Sequence, residues 1–182
     1  QDPYGRGMIE IRGNSQQFRF DHNKAIPMAT ASLFFYGNVI GVIDHNFFNV
    51  SAGSYAAYTF HNSWKGNGAY GDYSWSVPDT VGTQEALFFE DNTFLNDKSS
   101  SLHRYAIDGW QGGRVVFRRN TFTACTMGNH GTESGGRHRS QRQFEVYDNT
   151  FNWEMGRQAF ASLVASRGGV GVVFNNKANI TN

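Results

Sequence analysis

Leu87-Phe88-Phe89-Glu90-Asp91-Asn92 is the stretch on which the fold turns, because its pattern returns along the chain. Two apolar positions two apart lead into a polar pair and an asparagine. The same order recurs in Phe18-Arg19-Phe20-Asp21-His22-Asn23, Gly41-Val42-Ile43-Asp44-His45-Asn46, Val115-Val116-Phe117-Arg118-Arg119-Asn120, Phe144-Glu145-Val146-Tyr147-Asp148-Asn149 and Gly171-Val172-Val173-Phe174-Asn175-Asn176. Successive asparagines lie 23, 46, 28, 29 and 27 residues apart, so the gap of 46 reads as one repeat carrying a long insertion. A second motif, a short apolar strand ending in glycine, precedes several copies: Met8 to Gly13, Leu33 to Gly37, Tyr105 to Gly109 and Met127 to Gly131. Each repeat therefore carries at least two strands.

Strands of period two that recur every ~25 residues without intervening helices cannot build βαβ units. The expected architecture is all-β, a right-handed parallel β-helix of about six coils, one repeat per coil. Phe20, Ile43, Phe89, Phe117, Val146 and Val173 form one inward column, three residues before each asparagine. Ala25, Phe48, Phe94, Phe122, Phe151 and Ala178 form a second, two residues after it. The asparagines suit the turn between strands, tolerating a left-handed backbone and bonding to identical neighbours ~4.8 Å away. One domain over residues 1–182 is expected, with insertions at about 51–83 and 126–143. Neither end carries an amphipathic cap, so the chain reads as a segment of a longer solenoid, or one whose ends meet another chain or a second copy.

Composition narrows the function classes. The 182 residues are 39% hydrophobic and 17% charged, enough to bury a core. A formal net charge of +1 provides no field to attract nucleic acid or an anionic membrane. No apolar run reaches the ~18 residues of a membrane span. Twenty-one Gly, 15% aromatics and only four Lys fit a β-rich extracellular or cell-surface protein. Cys125 stands alone, which leaves no disulfide framework and no cysteine metal site.

With the Asp-His-Asn of Gly41 to Asn46 in place, the chain resembles the pectate-lyase-like superfamily of right-handed β-helices, and most closely large secreted bacterial β-helix repeat proteins. Gly-Val-Ile-Asp-His-Asn is similar to the Trp-Ile-Asp-His segment of pectate lyases, with Val42 at the Trp position. The Arg-x-Pro-x-x-Arg pattern of the lyase catalytic arginine does not occur. The resemblance implies polysaccharide as partner and a polysaccharide lyase or glycoside hydrolase as the activity.

The outward column two residues before each asparagine reads Asp21, Asp44, Glu90, Arg118, Tyr147 and Phe174. Asp44, Glu90 and Arg118 are the catalytic candidates: paired carboxylates serve glycoside hydrolysis, and an arginine serves as base in β-elimination. Asp21, Asp44 and Glu90 are the candidate ligands for Ca²⁺, a cation that collects oxygens. The structural alternative is a solvated ladder in which Glu90 pairs with Arg118. His22 and His45, each beside an aspartate, suit a metal or, more simply, a polar turn. Trp64, Tyr70, Tyr73 and Trp75 in the long insertion offer flat rings for sugar stacking, with a satellite core as the alternative. His130, on the second insertion near Arg137, His138, Arg139 and Arg142, is a further substrate-binding candidate. Two functions from different classes follow: secreted carbohydrate binding or processing, and a non-catalytic adhesin, surface or filament subunit.

Overall fold

The computed structural model describes residues 8–26, 31–51, 55–60, 79–97, 105–110, 112–128, 140–155 and 162–182. Among these, eighteen strands fall into three parallel sheets of six. The first holds β1 (Ile9–Arg12), β4 (Ala31–Tyr36), β7 (Tyr55–Phe60), β10 (Tyr105–Trp110), β13 (Thr126–Gly128) and β16 (Val164–Ala165). The second holds β2 (Ser15–Asp21), β5 (Val39–Asp44), β8 (Leu87–Glu90), β11 (Arg114–Arg118), β14 (Gln143–Tyr147) and β17 (Val170–Phe174). The third holds β3 (Lys24–Ala25), β6 (Phe47–Asn49), β9 (Thr93–Leu95), β12 (Thr121–Thr123), β15 (Thr150–Glu154) and β18 (Lys177–Thr181). Each strand of the four inner coils pairs with the strands three before and three after it, and those of the end coils pair on one side. A chain that visits three sheets in fixed order and advances one place per visit winds a parallel β-helix of six coils.

The inward columns are as the repeat predicts. Phe20, Ile43, Phe89, Phe117, Val146 and Val173 are register partners across the second sheet. The four central members are fully buried; Phe20 on the first coil is half-buried and Val173 on the last is exposed. In the third sheet Phe48, Phe94, Phe122 and Phe151 stack ring on ring, with centroids 5.3, 4.8 and 4.7 Å apart. Phe89 stacks on Phe117 at 4.7 Å. Cys125 is wholly buried, and burial pushes its thiol up to about 12, so it is a small apolar filler.

Each coil has three strands, the two that the motifs mark and the one that carries the second inward column. Two points differ from the sequence reading. The residue that takes the left-handed backbone is the one before each asparagine: His22, His45, Asp91, Arg119, Asp148 and Asn175 have φ of 50–56°. The asparagine itself bonds to identical neighbours along the helix axis, as the repeat predicts. Its Oδ1 accepts the backbone N–H of the preceding coil's asparagine at 2.9–3.0 Å in all five steps of the ladder. Finally, the long insertion is shorter than 51–83. Tyr55–Phe60 is β7, paired with β4 and β10, so Tyr55 and Tyr58 belong to the coil. Thr126–Gly128 is likewise a coil strand, β13, paired with β10 and β16.

Candidate functional site

The last residue of each second-sheet strand points outward, just before the left-handed turn. Asp21, Asp44, Glu90, Arg118, Tyr147 and Phe174 are register partners, one per coil. Their charges are paired. Arg118 Nη2 donates to Glu90 Oε1 at 2.5 Å, and Arg119 Nη2 to Glu90 Oε2 at 2.6 Å. Arg19 Nη2 donates to Asp44 Oδ2 at 3.0 Å, and the ring nitrogen Nδ1 of His45 lies 3.0 Å from the same oxygen. His22 Nδ1 lies 3.1 Å from Asp21 Oδ2, and the two imidazoles stack in parallel at 4.9 Å. The ion-paired ladder is therefore the geometry that the column adopts around Glu90. Among the described residues no group of three or more His, Cys, Asp or Glu side chains is placed to hold a metal ion.

A strap formed by Asp79 to Glu85 crosses the outer face of the second sheet. Thr80 N–H donates to Gln143 Oε1 at 3.0 Å and Gly82 N–H to Glu145 Oε1 at 2.8 Å. Arg142 grips Asp79 at 2.7 Å, and Arg114 reaches Thr80 Oγ1 at 2.6 Å and Glu85 at 3.3 Å. Arg114, Gln143 and Glu145 are buried, and each has a strap partner, as a buried polar group must.

Where the strap returns to the coil it walls an open groove of about 800 Å³. Its floor includes Ile40, Val42 and Phe88, and its polar lining is Gln16, Gln17, Arg19, Asp44, Gln84, Glu85 and Glu90. Gly41 also lines it; a side chain there would strike the backbone carbonyl of Phe18, so only glycine lets β2 and β5 approach at this point. Beyond Phe88 and Gln84 a smaller recess of about 280 Å³ holds Arg118, Glu145 and Tyr147. Asp44 and Glu90 thus share one groove while Arg118 lines the next. Asp21 lines neither. Trp64, Tyr70, Tyr73, Trp75 and His130 lie outside the described residues, as do Arg137, His138 and Arg139. Sequence reasoning missed Arg19, Val42 and Phe88, although each stands two residues before a column member and period two puts it on the same face.

The protonation states limit the chemistry. Burial raises the Asp44 carboxyl, but hydrogen bonds from His45 and Arg19, together with their charge, outweigh it and hold the group below its ordinary 3.8. It is a carboxylate at neutral pH, an acceptor and not a proton donor. Burial pulls the Arg118 guanidinium down, yet hydrogen bonds to Tyr147 and Glu90 more than offset this and keep it above its ordinary value. It stays a cation and cannot take a proton as a base.

A pH prediction follows for Asp44. A carboxyl whose folded value lies below its unfolded one contributes stability in full above the unfolded value and loses it as pH falls through the folded value. Melting temperatures recorded from pH 6 to pH 2 should therefore drop more steeply below 3.8 for the wild type than for Asp44→Asn. Parallel curves would contradict the pairing.

No protein-family model, curated protein or solved structure matches this chain.

Proposed function

We propose that the chain is a carbohydrate-binding β-helix protein of the cell exterior, and that its ligand lies in the groove over Val42 and Phe88. The single observation that carries this reading is the groove's composition: an apolar floor with an aromatic ring, walled by amides, carboxylates and a guanidinium. A sugar presents the complementary pattern, an apolar C–H face rimmed by hydroxyls that both donate and accept. The resemblance of Gly41 to Asn46 to a pectate-lyase segment points to the same ligand class. Binding without bond cleavage fits a Glu90 clamped by both Arg118 and Arg119, and an Asp44 held by Arg19, better than lyase or hydrolase chemistry does.

A glycan array read alongside a reducing-end assay and absorbance at 235 nm tests both parts. The expected result is binding without new reducing ends or unsaturated product, with affinity lowered about tenfold by Phe88→Ala, the loss of a stacking ring being worth ~1 kcal/mol or more. Cleavage would restore an enzymatic reading. A second reading, the structural subunit, is favoured by the last coil, where Val172, Val173, Phe174 and Ile180 are exposed and offer a stacking face to another coil. An array without hits, together with concentration-dependent light scattering, would prefer it.

A further inference from the structure

His22 and His45 occupy the same left-handed position on the first two coils, with φ of 55° and 54°. The residues before them, Asp21 and Asp44, are register partners, so the two histidines stand one strand spacing apart. Their rings stack with centroids 4.9 Å apart and an interplanar angle of 0°. Each ring sets the same edge against its own aspartate: Nδ1 lies 3.1 Å from Asp21 Oδ2 in His22 and 3.0 Å from Asp44 Oδ2 in His45. An ionised carboxylate has no proton to give, so both Nδ1 atoms carry the hydrogen and donate. The lone pair of each neutral ring is then on Nε2, at the other edge. Both side chains are open to solvent, 69% exposed in His22 and 52% in His45.

Neighbouring histidines whose Nδ1–H groups are each held by a carboxylate are prepared for metal: the hydrogen bond fixes the tautomer, orients the ring and makes Nε2 a stronger base. We propose that His22 and His45 form a two-imidazole site for a divalent transition cation, Cu²⁺ before Ni²⁺ and Zn²⁺, bound through both Nε2 atoms. The parallel rings must converge, because two nitrogens on one metal at about 2.0–2.1 Å each stand about 3 Å apart, closer than the ring spacing. Exposed side chains tilt together about χ1 and χ2 without displacing a core residue. Asp91 follows His45 in the column, but Arg119 Nε and Nη2 donate to both of its oxygens at 3.0–3.2 Å. The protein therefore supplies two ligands and water completes the shell, in keeping with the lack of any three-residue metal group among the described residues. Asp21 and Asp44 act as positioning residues. The site does not rest on the carbohydrate reading.

The test is titration with CuCl₂ of the full chain, stripped of metal with EDTA and exchanged into a non-coordinating buffer at neutral pH. Calorimetry gives the affinity, and pulsed electron paramagnetic resonance counts the imidazole nitrogens on Cu²⁺. Two imidazoles on one Cu²⁺ are expected. Asp21→Asn should keep both imidazoles and weaken the site about tenfold, the usual effect of losing a carboxylate behind a ligating histidine. His22→Gln and His45→Gln should each leave one imidazole and cost more affinity than that. All three side chains are exposed, so the coil keeps its fold in each variant. His61, His103, His130 and His138 offer imidazoles elsewhere, so the change in each variant decides, not the total copper bound. A two-imidazole signal unchanged in both histidine variants, or no such signal in the wild type, overturns the site. Affinity unchanged in Asp21→Asn overturns the positioning role.

Discussion

Phe117→Ala is expected to destabilise the protein by about 3–5 kcal/mol, measured as a fall in the urea midpoint, because it opens a cavity in the middle of the stack. Phe117 is fully buried, lies face to face with Phe89 at 4.7 Å, and meets the rings of Phe94 and Phe122 at 6.0 and 5.9 Å. Its register partners on both sides, Phe89 and Val146, are held by sheet hydrogen bonds and cannot collapse into the space. Val173→Ala is the control, the same inward column on the last coil but 53% exposed, and should cost well under 1 kcal/mol. Equal losses at the two positions would mean that the column is not what holds the coils together.

Asn120→Ala should cost about 3 kcal/mol or more, although it removes no apolar surface. Asn120 is 1% exposed and spans three coils. Its Oδ1 accepts from the backbone N–H and the Nδ2 of Asn92 at 2.9 and 3.1 Å. Its Nδ2 donates to the Phe89 carbonyl at 2.8 Å and to Asn149 Oδ1 at 3.0 Å. Alanine leaves the Asn92 N–H without its acceptor in a site closed to water, and each such orphan costs about 1–3 kcal/mol. Asn120→Asp keeps the shape and the acceptor, but loses both Nδ2 bonds and sets a negative charge against two oxygens. It should not rescue stability, whereas a purely steric role for the residue would let it do so. Chemical denaturation of the two variants beside Asn182→Ala, at the exposed end of the chain, makes the comparison.

How far the sequence revealed this structure depended on whether a feature was periodic or long-range. The columns through Phe117 and Phe122 were legible because period two and a repeat of nearly constant length put like residues in like places. The pairing of Glu90 with Arg118 was legible as one of two options, since neighbours in an outward column lie one strand spacing apart. The third strand of each coil was legible only through its one inward residue, Phe122 in Thr121–Thr123, because so short a strand shows no period of its own. Tyr55–Phe60 reads as part of the insertion because its tyrosines merge with the aromatic run that follows. The left-handed residue was misplaced by one position: His, Asp, Asn and even Arg occupy it, whereas the invariant asparagine beside it serves the ladder. The strap could not be read at all, as its contacts, Thr80 with Gln143 and Gly82 with Glu145, join residues 63 apart. Without it the groove had a floor in the sequence but no wall, and Phe88 passed as one more member of an apolar strand.

The most direct measurement is a crystal structure of the protein soaked with the oligosaccharide that binds best. A sugar ring should be seated over Val42 and Phe88, in the groove that Gln84 and Glu85 wall. Ordered sugar on another face of the solenoid, with the groove between Asp44 and Glu85 left to solvent, would contradict it.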